Sequence, residues 1–277
     1  MTTQELVEQI KTKQSFLCIG LDVDLKKIPT YLLSEEDPIF SFNKAIIDAT
    51  HQFCVAYKPN TAFYEACGLK GWQALQKTID YLHDNYPEIY TIADAKRGDI
   101  GNTSKMYAKT FLKDMGFDSV TVAPYMGKDS VEPFLSFDNK YVFLLTLTSN
   151  SGSEDFQLKE ISDSSNKLYE EVILKSKEWK NSHNIMYVVG AKNVKEISRI
   201  RKLTPNSYLL IPGVGAQGGS LKDICENGLD NGLKLLVNSS RSIIYSSSGE
   251  DYAEKAMLAA AKLQEEMEKY IIDKGII

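Results

Sequence analysis

The sequence is poor in the residues that build metal and redox centres. Its three histidines, His51, His83 and His183, are scattered and make no metal-ligand spacing. Its four cysteines, Cys18, Cys54, Cys67 and Cys225, include no C-x-x-C pair, and two fall inside apolar runs. They read as reduced, buried thiols of a cytoplasmic protein, not as a disulfide framework. No apolar run approaches the roughly 20 residues of a membrane span. The first eleven residues are too polar for a secretory signal. There is no basic excess either: a net charge of -5 argues against nucleic acid or an anionic membrane as the main partner. A phosphate site stays compatible with that charge, because it needs only local donors. Linkers, charge blocks and low-complexity stretches are also missing. The 277 residues, 43% hydrophobic and 25% charged, therefore read as one globular domain spanning 1–277 with a short leading helix.

What the sequence has is repetition. Eight short, nearly continuous apolar runs lie at residues 16–22, 53–60, 90–93, 118–124, 141–147, 185–190, 208–212 and 233–238. Helical patterns alternate with them, at about 39–52, 71–85, 100–115, 129–135, 164–181, 194–202, 221–227 and 251–272. The leading helix, 2–13, carries Thr2 and Glu5 at capping-box spacing, and Ser248 and Asp251 can cap the last one. Strands buried on both faces lack clean alternation and look like these runs. Eight βα units predict a (β/α)8 barrel, with a doubly wound open sheet as the runner-up.

The C-terminal ends of barrel strands carry the active site, and here those ends are polar. They offer Asp22, Lys58 and Asn60, Asp94 and Lys96, Ser149 and Asn150, then Pro212 to Gln217 and Asn238 to Arg241. Pro59 keeps Lys58 extended. Strand alternation places Asp94 and Lys96 on one side. Gly98 loosens the backbone, and a helix beginning near Asp99 aligns Asp99 with Thr103. A lysine set between two carboxylates is held charged.

Gly213-Val-Gly-Ala-Gln-Gly218 matches G-x-G-x-x-G, yet the following strand ends in Asn238 and not in an acid, which rejects a nicotinamide site. The glycines and a helix N-terminus still suit phosphate, and Arg241 adds a bidentate donor.

The core Asp94-Ala-Lys-Arg-Gly-Asp-Ile-Gly-Asn-Thr103, together with Leu21-Asp22, Lys58-Pro-Asn60, Pro212-Gly213, Gln217 and Arg241, resembles the orotidine 5'-phosphate decarboxylases. The length and compact seventh loop are similar to the longer, type 2 group of that family. The resemblance implies decarboxylation of orotidine 5'-phosphate to uridine 5'-phosphate in pyrimidine biosynthesis, without metal or organic cofactor, by a homodimer with shared sites. It implies that Asp22, Lys58 and Asn60 bind ribose hydroxyls and support the charge network. Asp94 lies beside the substrate carboxylate, and Lys96 delivers the proton. Asp99, Ile100 and Thr103 reach in from the other subunit, and Ser149 touches the pyrimidine. Pro212 and Gln217 lie along a closing loop, while Ser240 and Arg241 hold phosphate. Two positions depart from the family's pattern: Val23 stands where a proline commonly follows the acid, and Lys192 where a threonine is common. Two rivals differ in chemistry. A metal-dependent sugar-phosphate aldolase barrel would show magnesium dependence, and a non-catalytic nucleotide sensor would bind the product without releasing carbon dioxide.

Overall fold

A computed structural model describes residues 1–162, 164–192, 194–214, 219–230 and 232–275. Helix α1 (Thr3–Lys13) precedes strand β1 (Leu17–Gly20). Then come α2 (Pro38–Thr50), β2 (Ala56–Lys58), α3 (Thr61–Glu65), α4 (Gly68–Asn85) and β3 (Tyr90–Arg97). Helix α5 (Gly101–Ala108), β4 (Ser119–Val122), α6 (Lys128–Val131) and β5 (Tyr141–Leu147) follow. The chain continues through α7 (Ser153–Phe156), α8 (Leu168–Ser176), β6 (Ile185–Val189), α9 (Val194–Leu203) and β7 (Leu209–Pro212). It ends in α10 (Leu221–Gly228), β8 (Leu235–Ser239), α11 (Arg241–Ile244) and α12 (Tyr252–Asp273).

The eight strands close a barrel in chain order, as the alternating pattern predicts. Every residue of β1, β2, β4, β6 and β8 is buried, which is why those runs carry no solvent-facing alternation. Strands β1 and β2, and β2 and β3, pair in parallel, with Gly20 opposite Lys58 and Tyr57 opposite Thr91. Two compact units make up the chain. One holds Met1–Ala95, Met115–Phe117 and Asn238–Ile277, and the other holds Lys96–Asp114 and Asp118–Val237.

The start of the chain forms as its pattern requires. Thr2 Oγ1 accepts from the Glu5 N–H at 3.2 Å, and the Glu5 carboxylate accepts from the Thr2 N–H at 2.6 Å. That reciprocal pair satisfies donors the helix itself leaves open. Leu6 and Ile10, one turn apart, are then fully buried, each worth about 1.5–3 kcal/mol. At the far end Asp251 precedes α12, but its side chain makes no capping hydrogen bond there. Its carboxylate accepts from the Ser247 hydroxyl instead, at 2.5 Å.

Two helices differ from the pattern. The one expected over 100–115 begins at Gly101 and widens into a π-helical stretch at Lys109–Asp114, with Phe111 and Leu112 buried. The one expected over 164–181 is confined to Leu168–Ser176. Before it, Ile161 N–H donates to Asn166 at 2.8 Å, and Ser165 takes a left-handed φ of 56°. That turn claims the residues that helical spacing alone would have enrolled.

Candidate active site

Lys58 closes β2 and Asp94 lies in β3. Asn60 pairs with Asp94 across the two strands, so Lys58, two residues before Asn60, is a diagonal neighbour of Asp94 on one face. The Lys58 ammonium meets Asp94 Oδ2 at 2.8 Å, with the two side chains only 4% and 11% exposed. Burial by itself pulls the Lys58 amine down. The Asp94 and Asp22 carboxylates more than offset that and hold it well above the ordinary lysine value. The lysine is thus a fixed cation between acids. Cys18, also beside it, is inert: burial drives its thiol far up.

Asp22 follows β1. Its Oδ2 accepts from the Ser240 hydroxyl at 2.8 Å, while its Oδ1 is buried without a hydrogen-bond partner among the described residues. An orphaned carboxylate oxygen is costly in a folded protein, and sites that await a donor retain them. The Ser240 hydroxyl lies against Asp22 and the Gly20 carbonyl, the latter at 3.0 Å. A Cβ on Gly20 would stand 2.8 Å from Ser240 Cβ and Oγ, so only glycine lets Ser240 settle there. Asn60 uses Oδ1 to cap α3, accepting from the Ala62 N–H at 3.2 Å. Arg241 opens α11 and is exposed.

The second unit carries the other predicted residues. Lys96 is exposed and has a φ of 46°. Left-handed backbone is uncommon for a side-chain-bearing residue, and such strain gathers at functional positions. Strand β3 runs through Lys96 to Arg97, so this left-handed φ falls inside the strand. The Lys96 N–H donates to Thr121 Oγ1 at 2.9 Å, which helps hold that conformation.

Gly98 also serves a different purpose from the one expected. A Cβ there would sit 2.8 Å from the Ala123 carbonyl oxygen, so close packing, not freedom of φ, demands glycine. Asp99 lies in the loop before α5, two residues ahead of the helix start that helical spacing placed on it. Its own Oδ1 accepts from the Ile100 N–H at 2.7 Å, and its N–H donates to Ser104 Oγ at 3.1 Å. Ile100, 58% exposed, and Thr103, also exposed, follow. Ser149 is half-buried after β5, and Pro212 is half-buried at the end of β7. Gly213 has a φ of 100°, which favours glycine, and Gln217 lies outside the described residues.

The profile of the Orotidine 5'-phosphate decarboxylase / HUMPS family matches residues 15–256. The chain belongs to this family. It is 64% identical to the orotidine 5'-phosphate decarboxylase of Christiangramia forsetii over 267 residues, covering 96% of this chain and 97% of that protein. It is 62% identical to that of Flavobacterium johnsoniae, covering 99% of this chain and 100% of that protein. Among solved structures, the Leishmania donovani OMP decarboxylase superposes with a TM-score of 0.83 at 34% identity, covering 98% of this chain and 99% of that one.

Within this orotidine 5'-phosphate decarboxylase family member, several supporting residues escape sequence reasoning. Thr121 under Lys96 is one, and its only sequence signal is a hydroxyl inside an otherwise apolar run. Ser104, which receives the Asp99 N–H and lies 2.8 Å from the Ser130 carbonyl, is another. Tyr64 and Tyr245 hold the loop of Asp22. Tyr64 donates to the Leu21 carbonyl at 3.0 Å, and Tyr245 donates to the Asp22 carbonyl at 2.8 Å. Those bonds settle the loop around Val23. Neither tyrosine shows a sequence signal beyond being aromatic.

Proposed function

We propose that this chain is an orotidine 5'-phosphate decarboxylase, converting orotidine 5'-phosphate to uridine 5'-phosphate and carbon dioxide in pyrimidine biosynthesis. The observation that carries the reading is the buried pair of Lys58 on β2 with Asp94 on β3, the strand that also bears Lys96, in a chain 64% identical to a relative of that name. The bond from the ring carbon to the carboxylate breaks, and its electron pair stays on the ring carbon. That carbanion has little resonance help, so a cation placed where the charge develops stabilises it. Lys96 supplies the cation and then the proton, becoming a neutral amine that solvent recharges. Asp94 lies beside the departing carboxylate, and Lys58 holds Asp94 in place.

The rate enhancement asked of such an enzyme lies toward the upper end of about 8–23 kcal/mol. Two unit charges about 4 Å apart interact by only about 4 kcal/mol at an effective dielectric near 20. One lysine therefore cannot provide the whole effect, and binding of the distant phosphate and ribose contributes the rest by organising the site. Arg241 takes the phosphate together with Gln217 and the Pro212 loop. Asp22 takes a ribose hydroxyl through its buried, unpartnered Oδ1, and Asn60 adds an amide donor. Ser149 touches the pyrimidine. Ser240 holds the phosphate beside Arg241, and its hydroxyl also orients Asp22.

The chain acts as one catalytic domain in the cytoplasm, as a homodimer, without metal or organic cofactor. Asp99, Ile100 and Thr103 serve the partner's site, a reading supported by the exposure of Ile100 and Thr103.

The direct test is loss of orotidylate absorbance with purified protein and a chelator present. Turnover is expected. Turnover only with added magnesium, or on sugar phosphates alone, would reject the reading. Lys96→Ala is expected to abolish decarboxylation while product binding stays measurable. Mixing inactive Lys96→Ala and Asp99→Ala subunits should restore activity, because one hybrid site carries neither change. No recovery despite proven exchange would place Asp99 in its own subunit's site.

A further inference from the structure

We infer that Tyr245 is a positioning residue for the reaction: its hydroxyl locks the Asp22 loop in the shape that aims the Asp22 carboxylate at the ribose. The inference rests on the function proposed above. Tyr245 stands just past α11, four residues beyond Arg241, on the segment assigned to phosphate. Its hydroxyl donates to the Asp22 carbonyl at 2.8 Å and accepts from the Asp24 N–H at 2.6 Å. One side chain thus clamps the turn that follows Asp22, bracketing Val23 and satisfying two backbone groups that no regular element serves.

The bracket does not act alone on this loop. Tyr64 donates to the Leu21 carbonyl, and Asn43 Nδ2 in turn donates to the Tyr64 hydroxyl at 2.9 Å. Tyr245 differs in position. It comes from the same short segment as Arg241, and Ser240 of that segment donates to the Asp22 carboxylate itself. Placing Arg241 on a phosphate therefore also places the two groups that set the backbone and carboxylate of Asp22.

The tyrosine is suited to the role. Burial pushes its hydroxyl up to about 12, so it remains a proton donor throughout the neutral range. Its ring stacks on Phe42 with centroids 6.0 Å apart at 26°, and Phe42 is fully buried. Packing of the ring is thus separable from bonding by the hydroxyl. Tyr245→Phe removes the hydroxyl and keeps the stack. Phe42→Leu loosens the stack and keeps the hydroxyl.

The experiment compares wild type, Tyr245→Phe, Asp22→Ala and the double variant. Uridine 5'-phosphate affinity is measured by calorimetry, and kcat and KM for orotidine 5'-phosphate wherever turnover permits. Phe42→Leu is carried through as the packing control. Tyr245→Phe is expected to weaken product binding and raise KM roughly tenfold, a loss equivalent to one hydrogen bond of ordinary strength. In the Asp22→Ala background the same change should cost less than about twofold, since the residue it positions is gone. Phe42→Leu should lower the melting temperature yet hold affinity within about twofold. Equal losses in both backgrounds, no loss in the single variant, or the same loss in Phe42→Leu would each overturn the inference. Wild-type turnover is the control that separates outcomes: if it is lacking, the proposed function fails, whatever Tyr245 does to product binding.

Discussion

Two buried cations show how the same charge serves different ends. Lys58, at the C-terminal end of β2, is surrounded by carboxylates from Asp94 and Asp22, and Asp22 Oδ1 has no hydrogen-bond partner among the described residues. Arg201, near the end of α9, is surrounded by backbone carbonyls. Its guanidinium donates to Gly228 at 3.0 Å, Thr204 at 3.1 Å, Ser207 at 2.8 Å and Lys234 at 2.7 Å. Those carbonyls lie in the turns leading into β7 and β8 and at the end of α10, away from the strand ends that carry chemistry. Arg201 is tied chiefly to backbone carbonyls, with the Asp230 carboxylate 3.7 Å away, whereas Lys58 is held by side chains that can also address a ligand. A cation tied to fixed carbonyls marks a structural clamp, and a charge cluster with an open acceptor marks a site.

Substitutions can break that contrast. The largest effect is expected at the open cluster. Asp94→Asn should cut kcat/KM on the order of 10²- to 10³-fold and also lower the melting temperature, because the buried Lys58 ammonium loses its nearest carboxylate. Steady-state kinetics on the folded protein beside calorimetric melts would check it, and a variant whose folded fraction keeps its kcat would put Asp94 with the clamps. Arg201→Met comes next and should lower stability alone. Its loss leaves several buried carbonyls unsatisfied, at a cost of about 3–5 kcal/mol in unfolding free energy. The folded fraction should keep its kcat, and urea titration with activity measured on the folded protein tests both halves.

The smallest effect sharpens the comparison through pH. The Lys58 amine is raised in the folded protein, so its contribution is complete below the unfolded value near 10.4 and is lost only in stronger alkali. His51 behaves oppositely. Burial and Lys13 lower its folded value, so its contribution is present above the unfolded value near 6.5 and is lost as pH falls from there through the lower folded value. Melting temperature should thus fall on the acid side, and His51→Phe should flatten that limb while leaving the alkaline limb intact. An unchanged acid slope would remove His51 from the account.

Much of this was legible in the residues. Thr2 and Glu5 cap α1 because a capping box needs only four neighbouring residues. The eight strands read correctly because burial on both faces leaves a compositional trace. Asp94 and Lys58 were recognisable as polar ends of apolar runs. The conformation of Lys96 was not, because alternation assumes extended backbone and Lys96 takes a left-handed φ inside the strand. Gly98 was read as a flexible joint, but its reason is the Ala123 carbonyl, which belongs to the next strand. The bond from the Ser240 hydroxyl to Asp22, more than two hundred residues away in the chain, leaves no local trace either.

The sequence by itself determined the order of strands and helices and the cluster of charges on and after β3, because periodicity and motif spacing are local properties. Only the tertiary structure decided which acid holds Lys58, which carbonyls hold Arg201, and which tyrosines hold the Asp22 loop. The Tyr245 contact to Asp24 spans 221 residues of chain. Partners so distant are chosen by barrel closure and by the register of neighbouring strands, and no short window of sequence carries that register.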